Sequence, residues 1–241
     1  MKILALDTAL NACSVAILDG DILQAHVHEK RARGHAETLM PLIQDLMKTC
    51  GAKYSDLDLI AVTIGPGTFT GLRIGLAAAR GIALAAAKPC RGITTLEALA
   101  ASVPKTALKG RPIIATADAR RREIYTQVFS CVQSPDLVVP ETDPIALPLV
   151  EADSFLTMES ALIIGSGGPL LAAHPDFDAT RFQISDLDPD PDAILVGRLA
   201  AARLIPSISD GAPAPLYLRA PDAKLPGGKD PAPAPELSNG S

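Results

Sequence analysis

Apolar residues dominate KILALDTA and NACSVAILDG, and DILQAHVHEK alternates apolar with polar, a pattern that predicts three β-strands. Asp19-Gly20-Asp21, between the second and third, is a tight hairpin signal. After Gly34, apolar side chains at Leu39, Leu42, Ile43, Leu46, Met47 and Cys50 follow the 3.6-residue period of an amphipathic helix. Pro41 is expected near the first turn of that helix, and Gly51 as its C-terminal cap. DLDLIAVTIG reads as a strand whose second half is apolar throughout, as burial on both faces requires. The Ala-rich run from Thr70 to Lys88 predicts a long helix.

Near Arg111 the pattern restarts. RPIIATADARRREIYTQVFS repeats the sequence of apolar run, polar turn and alternating strand, and places Asp118 where the first hairpin has Asp7. ALIIGSGGPL is a later buried strand ending in glycines, as VTIGPG does, and DAILVGRLAAARL is another small-residue helix. Two hairpin-then-helix halves in tandem predict a duplicated α/β architecture, the alternative being one doubly wound sheet with an antiparallel edge. The expected division is a first lobe over residues 1–105, a smaller second lobe over 106–224, and a Pro- and Gly-rich tail over 225–241 expected to be disordered.

Composition narrows the function. With 22 Lys+Arg against 27 Asp+Glu in 241 residues, the net charge of -5 excludes a protein that grips nucleic acid alone by phosphate neutralisation. Aromatics at 3% with no Trp exclude a stacking platform for single strands, so any RNA is expected to be held by a partner. Cys13, Cys50, Cys90 and Cys131 are scattered without a CxxC pair, which suits reduced thiols and a cytoplasmic location. No signal peptide is expected at the start. No membrane span is expected either, because the most apolar helical stretch contains Arg73 and Arg80.

The chemistry concentrates at Gly65-Pro66-Gly67-Thr68-Phe69-Thr70-Gly71-Leu72-Arg73-Ile74-Gly75, where a buried strand ends in a Gly-rich turn that opens into a helix. The glycines permit close backbone approach, and the turn fits a phosphate against a helix N-terminus, although it is neither a Walker A loop nor GxGxxG. Gly71, Gly75, Ala79, Ala83 and Ala87 recur every four residues as a small-residue stripe, which spacing leaves open between packing on the chain's own sheet and docking a partner. His26, His28 and His35 are read as solvent-exposed strand histidines rather than a metal site, since no carboxylate sits at motif spacing. His35-Ala36-Glu37 places a carboxylate where it complements the helix dipole. Asp118, flanked by Arg120, Arg121 and Arg122, reads as a solvated hairpin turn, with anion binding as the alternative.

GPGTFTGLRIG, together with the opening ILALDTA, the downstream GITTLEALA and the second-half DARRREIY, closely resembles the TsaB (YeaZ) family. The resemblance runs from Met1 to about residue 224. It implies a duplicated, two-lobed actin-like/sugar-kinase-like (ASKHA) α/β fold, and a noncatalytic scaffold that binds and activates the paralogue TsaD in N6-threonylcarbamoylation of adenosine in tRNA. TsaE would join through the complex, tRNA would be met only indirectly, and the chain alone would form a homodimer. The docking face implied is Leu39, Ile43, Gly71, Arg73, Gly75 and Ala79, so that Gly75→Leu is expected to abolish docking and leave the fold intact. TsaD-like proteins bind their metal with an Asn-His-x-x-x-His segment; aligned here it is Thr94–Leu99, with Thr95 and Leu99 at the ligand positions, so no catalytic metal is expected. Asp7, Thr8, Gly65 and Gly67 lie where nucleotide-binding relatives of the fold approach phosphate, but Ala9 and Leu10 follow instead of a phosphate-turn glycine. No cofactor is therefore expected in the isolated chain, with an adenine nucleotide at the partner interface left open. The alternative is an independent nucleotide-dependent phosphotransferase or peptidase.

Overall fold

The computed structural model describes residues 1–131 and 138–219; the tail expected to be disordered lies outside them. Strands β1 (Lys2–Asp7), β2 (Ala12–Asp19) and β3 (Ile22–Lys30) lead into α1 (His35–Thr49), β4 (Leu59–Gly65), α2 (Phe69–Ala86) and β5 (Cys90–Thr94). Then come α3 (Thr95–Ala101), α4 (Lys105–Leu108), β6 (Ile113–Arg120), β7 (Glu123–Cys131), β8 (Val138–Pro140) and β9 (Ile145–Pro148). The chain ends its regular structure with α5 (Ala152–Phe155), β10 (Ala161–Ile164), α6 (Gly168–Ala172), β11 (Phe182–Ile184) and α7 (Ala193–Ala201).

The first sheet has the order β3-β2-β1-β4-β5, the second β11-β10-β6-β7-β8 with β9 also on β7. In each, an antiparallel hairpin (β1-β2, β6-β7) carries a parallel strand on its other side (β4 on β1, β10 on β6). This is the duplication that the recurring apolar pattern predicts. The parallel strands β1 and β4 are apolar and buried almost throughout, because helices cover both faces of the sheet.

On one face, Leu4, Leu6, Val15 and Ile17 meet Leu39, Ile43 and Met47 of α1 and Leu76, Ala79 and Ala83 of α2. On the other, Ile3, Ala5, Ala16, Leu18 and Leu59 meet Ala193, Val196, Leu199 and Ala200 of α7. Helix α7 falls in the span expected to form the second lobe, yet it packs on the central strands of the first sheet. Gly197 marks the contact, since a Cβ there would sit 2.3 Å from Leu18 Cδ1. A third cluster joins the lobes: Ala9, Leu10 and Leu72 pack with Leu96 and Leu99 of α3 and with Ile113, Ala115 and Ile164 of the second sheet.

Pro41 is not in the first turn of α1 but at its seventh residue. The helix starts early, at Gly34 with φ 82°, and Pro41 is exposed, its missing N–H leaving the Glu37 carbonyl without a helical donor. At the other end, Gly51 (φ 60°) closes a Schellman motif, with Ala52 N–H donating to Met47 O and Gly51 N–H to Lys48 O.

Candidate functional site

The turn from β4 into α2 brings the expected glycines together, and their free space is taken by the chain's own backbone. A Cβ on Gly67 would lie 2.5 Å from Ala9 O, and one on Gly65, whose φ is 115°, would lie 2.7 Å from Leu216 O. Leu216 N–H donates to Ile64 O at 2.7 Å, so the segment after α7 crosses the turn at that point. Two N–H donors at the start of α2 are also used internally. Thr68 N–H donates to Ala9 O at 2.8 Å and Gly71 N–H to Thr68 Oγ1 at 3.2 Å, while Thr8 Oγ1 donates to Gly71 O at 2.7 Å. The phosphate cradle expected of Gly65 and Gly67 is therefore filled by residues of the β1–β2 connection and the C-terminal segment.

Asp7 and Thr8 do not face a cleft; both are buried. Asp7 Oδ1 accepts from Thr63 Oγ1 at 2.6 Å and from Ala9 N–H at 3.2 Å, whereas Oδ2 is buried without a hydrogen-bond partner. Burial outweighs those two bonds and pushes the carboxyl up to about 7. Asp118 differs from its counterpart in the first hairpin: it is half-exposed and pairs with Arg120, whose Nη1 is 3.1 Å from Asp118 Oδ2.

Thr95 and Leu99 fall one turn apart on α3, capped by Thr94 Oγ1 accepting from Glu97 N–H. Both are fully buried, and Leu99 belongs to the apolar cluster that joins the lobes. Glu97 is buried too, its carboxyl raised by burial against the pull of the Arg203 guanidinium paired with it. Cys13 and Cys90 sit in the core with thiols pushed up by burial to about 11 and about 12, inert positions for a nucleophile.

Five of the six residues expected at the docking face lie inside the chain. Leu39, Ile43, Gly71, Gly75 and Ala79 are buried, and only Arg73 is exposed. A Cβ at Gly71 would lie 2.1 Å from Thr8 O, and one at Gly75 would lie 2.6 Å from Thr8 Oγ1. The stripe thus packs on its own sheet, and Gly75→Leu would disturb the fold it was expected to spare. By length and composition α2 also suffices to cross a membrane, yet this inner stripe seats it on β1 and β4. Its outer surface carries Phe69, Arg73 and Leu84. Arg73 lies 3.7 Å over the Phe69 ring and donates from Nε to Tyr217 Oη at 3.3 Å, and Phe69 and Tyr217 rings are 5.6 Å apart.

The histidines separate. His35 is buried in α1, with Nε2 donating to Ala12 O at 3.2 Å. His26 and His28, expected to face solvent, are half-buried on one face of β3 and meet the loop before α7. His26 Nε2 is 2.9 Å from Asp192 Oδ1, and His28 Nε2 is 3.5 Å from Asp188 Oδ2. The carboxylates missing at motif spacing arrive through the long-range packing of α7, which sequence spacing does not reveal.

Two lobes built from β-hairpin and parallel-strand repeats around a central interlobe helix define the actin-like and sugar-kinase-like class of α/β proteins. An inorganic polyphosphate/ATP-glucomannokinase from Arthrobacter sp. strain KM shares the fold at a TM-score of 0.50 and 11% identity, over 83% of this chain and 98% of that one. The family model for tRNA N6-adenosine threonylcarbamoyltransferase (TsaD) matches residues 23–142. A structure titled YeaZ from Pseudomonas aeruginosa superposes at a TM-score of 0.74 and 26% identity, covering 90% of this chain and 99% of that one. The tRNA threonylcarbamoyladenosine biosynthesis protein TsaB of Escherichia coli K12 is 40% identical over 73% of this chain and 84% of its own length. The chain belongs to the TsaB (YeaZ) family.

Proposed function

We propose that this chain serves tRNA threonylcarbamoyladenosine biosynthesis as a noncatalytic subunit that docks onto a TsaD-type transferase and activates it. The observation that carries this reading is the filled turn: Ala9, Thr8 and Leu216 occupy the space that a phosphate would need around Gly65, Gly67 and Gly71, and Ala9 O takes the Thr68 N–H. The aligned metal positions support it, since Leu99 has no ligand atom and the Thr95 hydroxyl is sealed in the core. With its inner chemistry closed, the chain acts through its surface. The docking face we assign is the exposed side of α2, centred on Phe69, Arg73 and Tyr217, in place of the buried stripe. TsaE joins through the assembled complex, tRNA is contacted through the transferase, and the same face serves a homodimer when the partner is missing.

Co-expression with the TsaD of the same organism tests this. The two chains should co-purify, and threonylcarbamoyl transfer to tRNA by the transferase should require the chain. Phe69→Asp with Arg73→Glu should remove both effects while the variant keeps its far-UV circular dichroism. Transfer at full rate without the chain, or by the chain alone, would overturn the proposal.

A further inference from the structure

Among the described residues, His26, His28 and Asp192 bring one donor atom each within 4.8 Å of one another. We infer that these three side chains form a site for a borderline-soft divalent cation, Zn²⁺ by the chemistry of the set, which fastens the edge strand β3 to the start of α7.

The arrangement is built from both directions. His26 and His28 are two residues apart on β3, opposite Ala16 and Ser14, so the strand pleat puts both rings on the face covered by α7. Asp192 is the N-cap of α7, and its Oδ1 accepts from Ile194 N–H at 2.8 Å, which fixes the carboxylate before any ion arrives. Ser14 Oγ, next to His28 in register, accepts from Ala193 N–H at 3.0 Å and holds the same helix end to the strand pair.

The imidazole nitrogens are what call for a ligand. Both ring nitrogens of His28 are buried without a hydrogen-bond partner among the described residues, and His26 Nε2 already lies 2.9 Å from Asp192 Oδ1. Buried polar atoms left in this state cost free energy that coordination would recover. The side chains remain reachable, with 23% of His26 and 15% of His28 exposed. A tetrahedral Zn²⁺ holds its ligand atoms about 3.3 Å apart, from bonds of about 2.0–2.1 Å, so the present spacing closes by small rotations. Two imidazoles and one carboxylate select Zn²⁺ over Mg²⁺ or Ca²⁺, which favour all-oxygen shells. Asp188 Oδ2 lies 3.5 Å from His28 Nε2 and 3.4 Å from Lys30 Nζ.

Equilibrium dialysis of the purified, EDTA-stripped full chain against micromolar Zn²⁺ tests the site. The chain should retain one Zn²⁺ and gain thermal stability that EDTA reverses and Mg²⁺ does not reproduce. His26→Gln/His28→Gln should abolish retention and the thermal shift. Asp192→Asn keeps a good N-cap but loses the charged ligand, and should weaken binding by at least ~10-fold, the lower bound for disturbing even an outer partner of a bound metal. Co²⁺ needs no variant: the loaded chain should show visible d–d bands and lack the near-ultraviolet sulfur-to-metal charge-transfer band of a cysteine site. No retained Zn²⁺, equal retention by Asp192→Asn or by a folded double-Gln variant, or a thiolate band with Co²⁺ would each overturn the assignment.

Discussion

Gly71→Ala and Gly81→Ala add the same methyl group to the same helix, and the structure gives them opposite signs. Both lie inside α2, where replacing Gly by Ala gains about 1 kcal/mol of helix propensity. At Gly81 nothing lies within 4 Å of the added Cβ, so the full gain should appear as stabilisation. At Gly71 the methyl would sit 2.1 Å from Thr8 O and 2.5 Å from Thr68 Oγ1, where ordinary contact starts at 3.4 Å. Backbone must therefore move by more than an ångström, an overpacking cost of about 1–3 kcal/mol. The bonds Thr8 Oγ1 to Gly71 O and Thr68 N–H to Ala9 O, worth about 1 kcal/mol each, would be stretched or lost in the same shift. Net destabilisation of about 2–3 kcal/mol is expected for Gly71→Ala. Urea unfolding followed by circular dichroism measures both variants, with unchanged slopes required for the comparison. Shifts of the same sign, or a Gly71→Ala variant as stable as the parent, would refute the inward-facing stripe.

Asp7→Asn should flatten the acid side of the stability profile. Because folding raises the Asp7 carboxyl from 3.8 to about 7, its protonated form is favoured in the folded state, so its contribution is fully present below pH 3.8 and is lost as pH rises to about 7. At ~1.4 kcal/mol per pH unit the loss is bounded by ~4 kcal/mol, and urea midpoints at pH 5 and pH 8 should differ less in the variant than in the parent. Arg203→Met leaves the buried Glu97 carboxylate unpaired and should cost about 1–2 kcal/mol, discounted for the partial exposure of Arg203; adding Glu97→Gln should recover part of it, as a double-mutant cycle would record. Thr95→His/Leu99→His should lower the unfolding midpoint by about 3 kcal/mol or more and bind no stoichiometric metal, because it inserts polar rings into the core that joins the lobes.

Local pattern carried most of the architecture and little of the site. Strands, the α1 and α2 helices and the repeat were legible because each buries its apolar set against a sheet, and the period of burial is written into Leu39, Ile43 and Leu46 or into Leu4 and Leu6. The start of α1 was not legible, since Gly34 caps it through a left-handed backbone rather than a Ser, Thr or Asp side chain. The direction of the Gly71–Ala79 stripe was undecided by spacing, because a small residue permits close approach without naming what approaches. Here Thr8 does, from 63 residues away. The same limit hid the surroundings of His26 and His28. The alternating Asp186, Asp188, Asp190 and Asp192 was a visible signal, but only the return of α7 to the first sheet converts it into neighbours of a distant strand.

The filled turn bears directly on the proposed docking role. A Gly-rich turn serves phosphate only while its N–H groups and the space beside its glycines stay free. In this chain the space beside the glycines is taken by two distant segments, the β1–β2 connection at Thr8 and Ala9 and the segment at Leu216, and Ala9 O also accepts from the Thr68 N–H. Thr8 Oγ1, following β1, ties the first turn of α2 by donating to Gly71 O, and Thr68 caps the helix. The crossing segment adds Arg80 Nε donating to Pro213 O at 3.1 Å and the Arg73–Tyr217 contact along the outer edge. The same contacts that fill the turn hold α2 in place, and a helix held in place can bind a partner without an ordering penalty. On this account, inner-face changes such as Gly71→Ala should weaken partner binding only in proportion to lost stability, whereas Arg73→Glu should weaken it at unchanged stability. An inner-face variant that binds poorly while fully folded would separate the two surfaces differently and break the link.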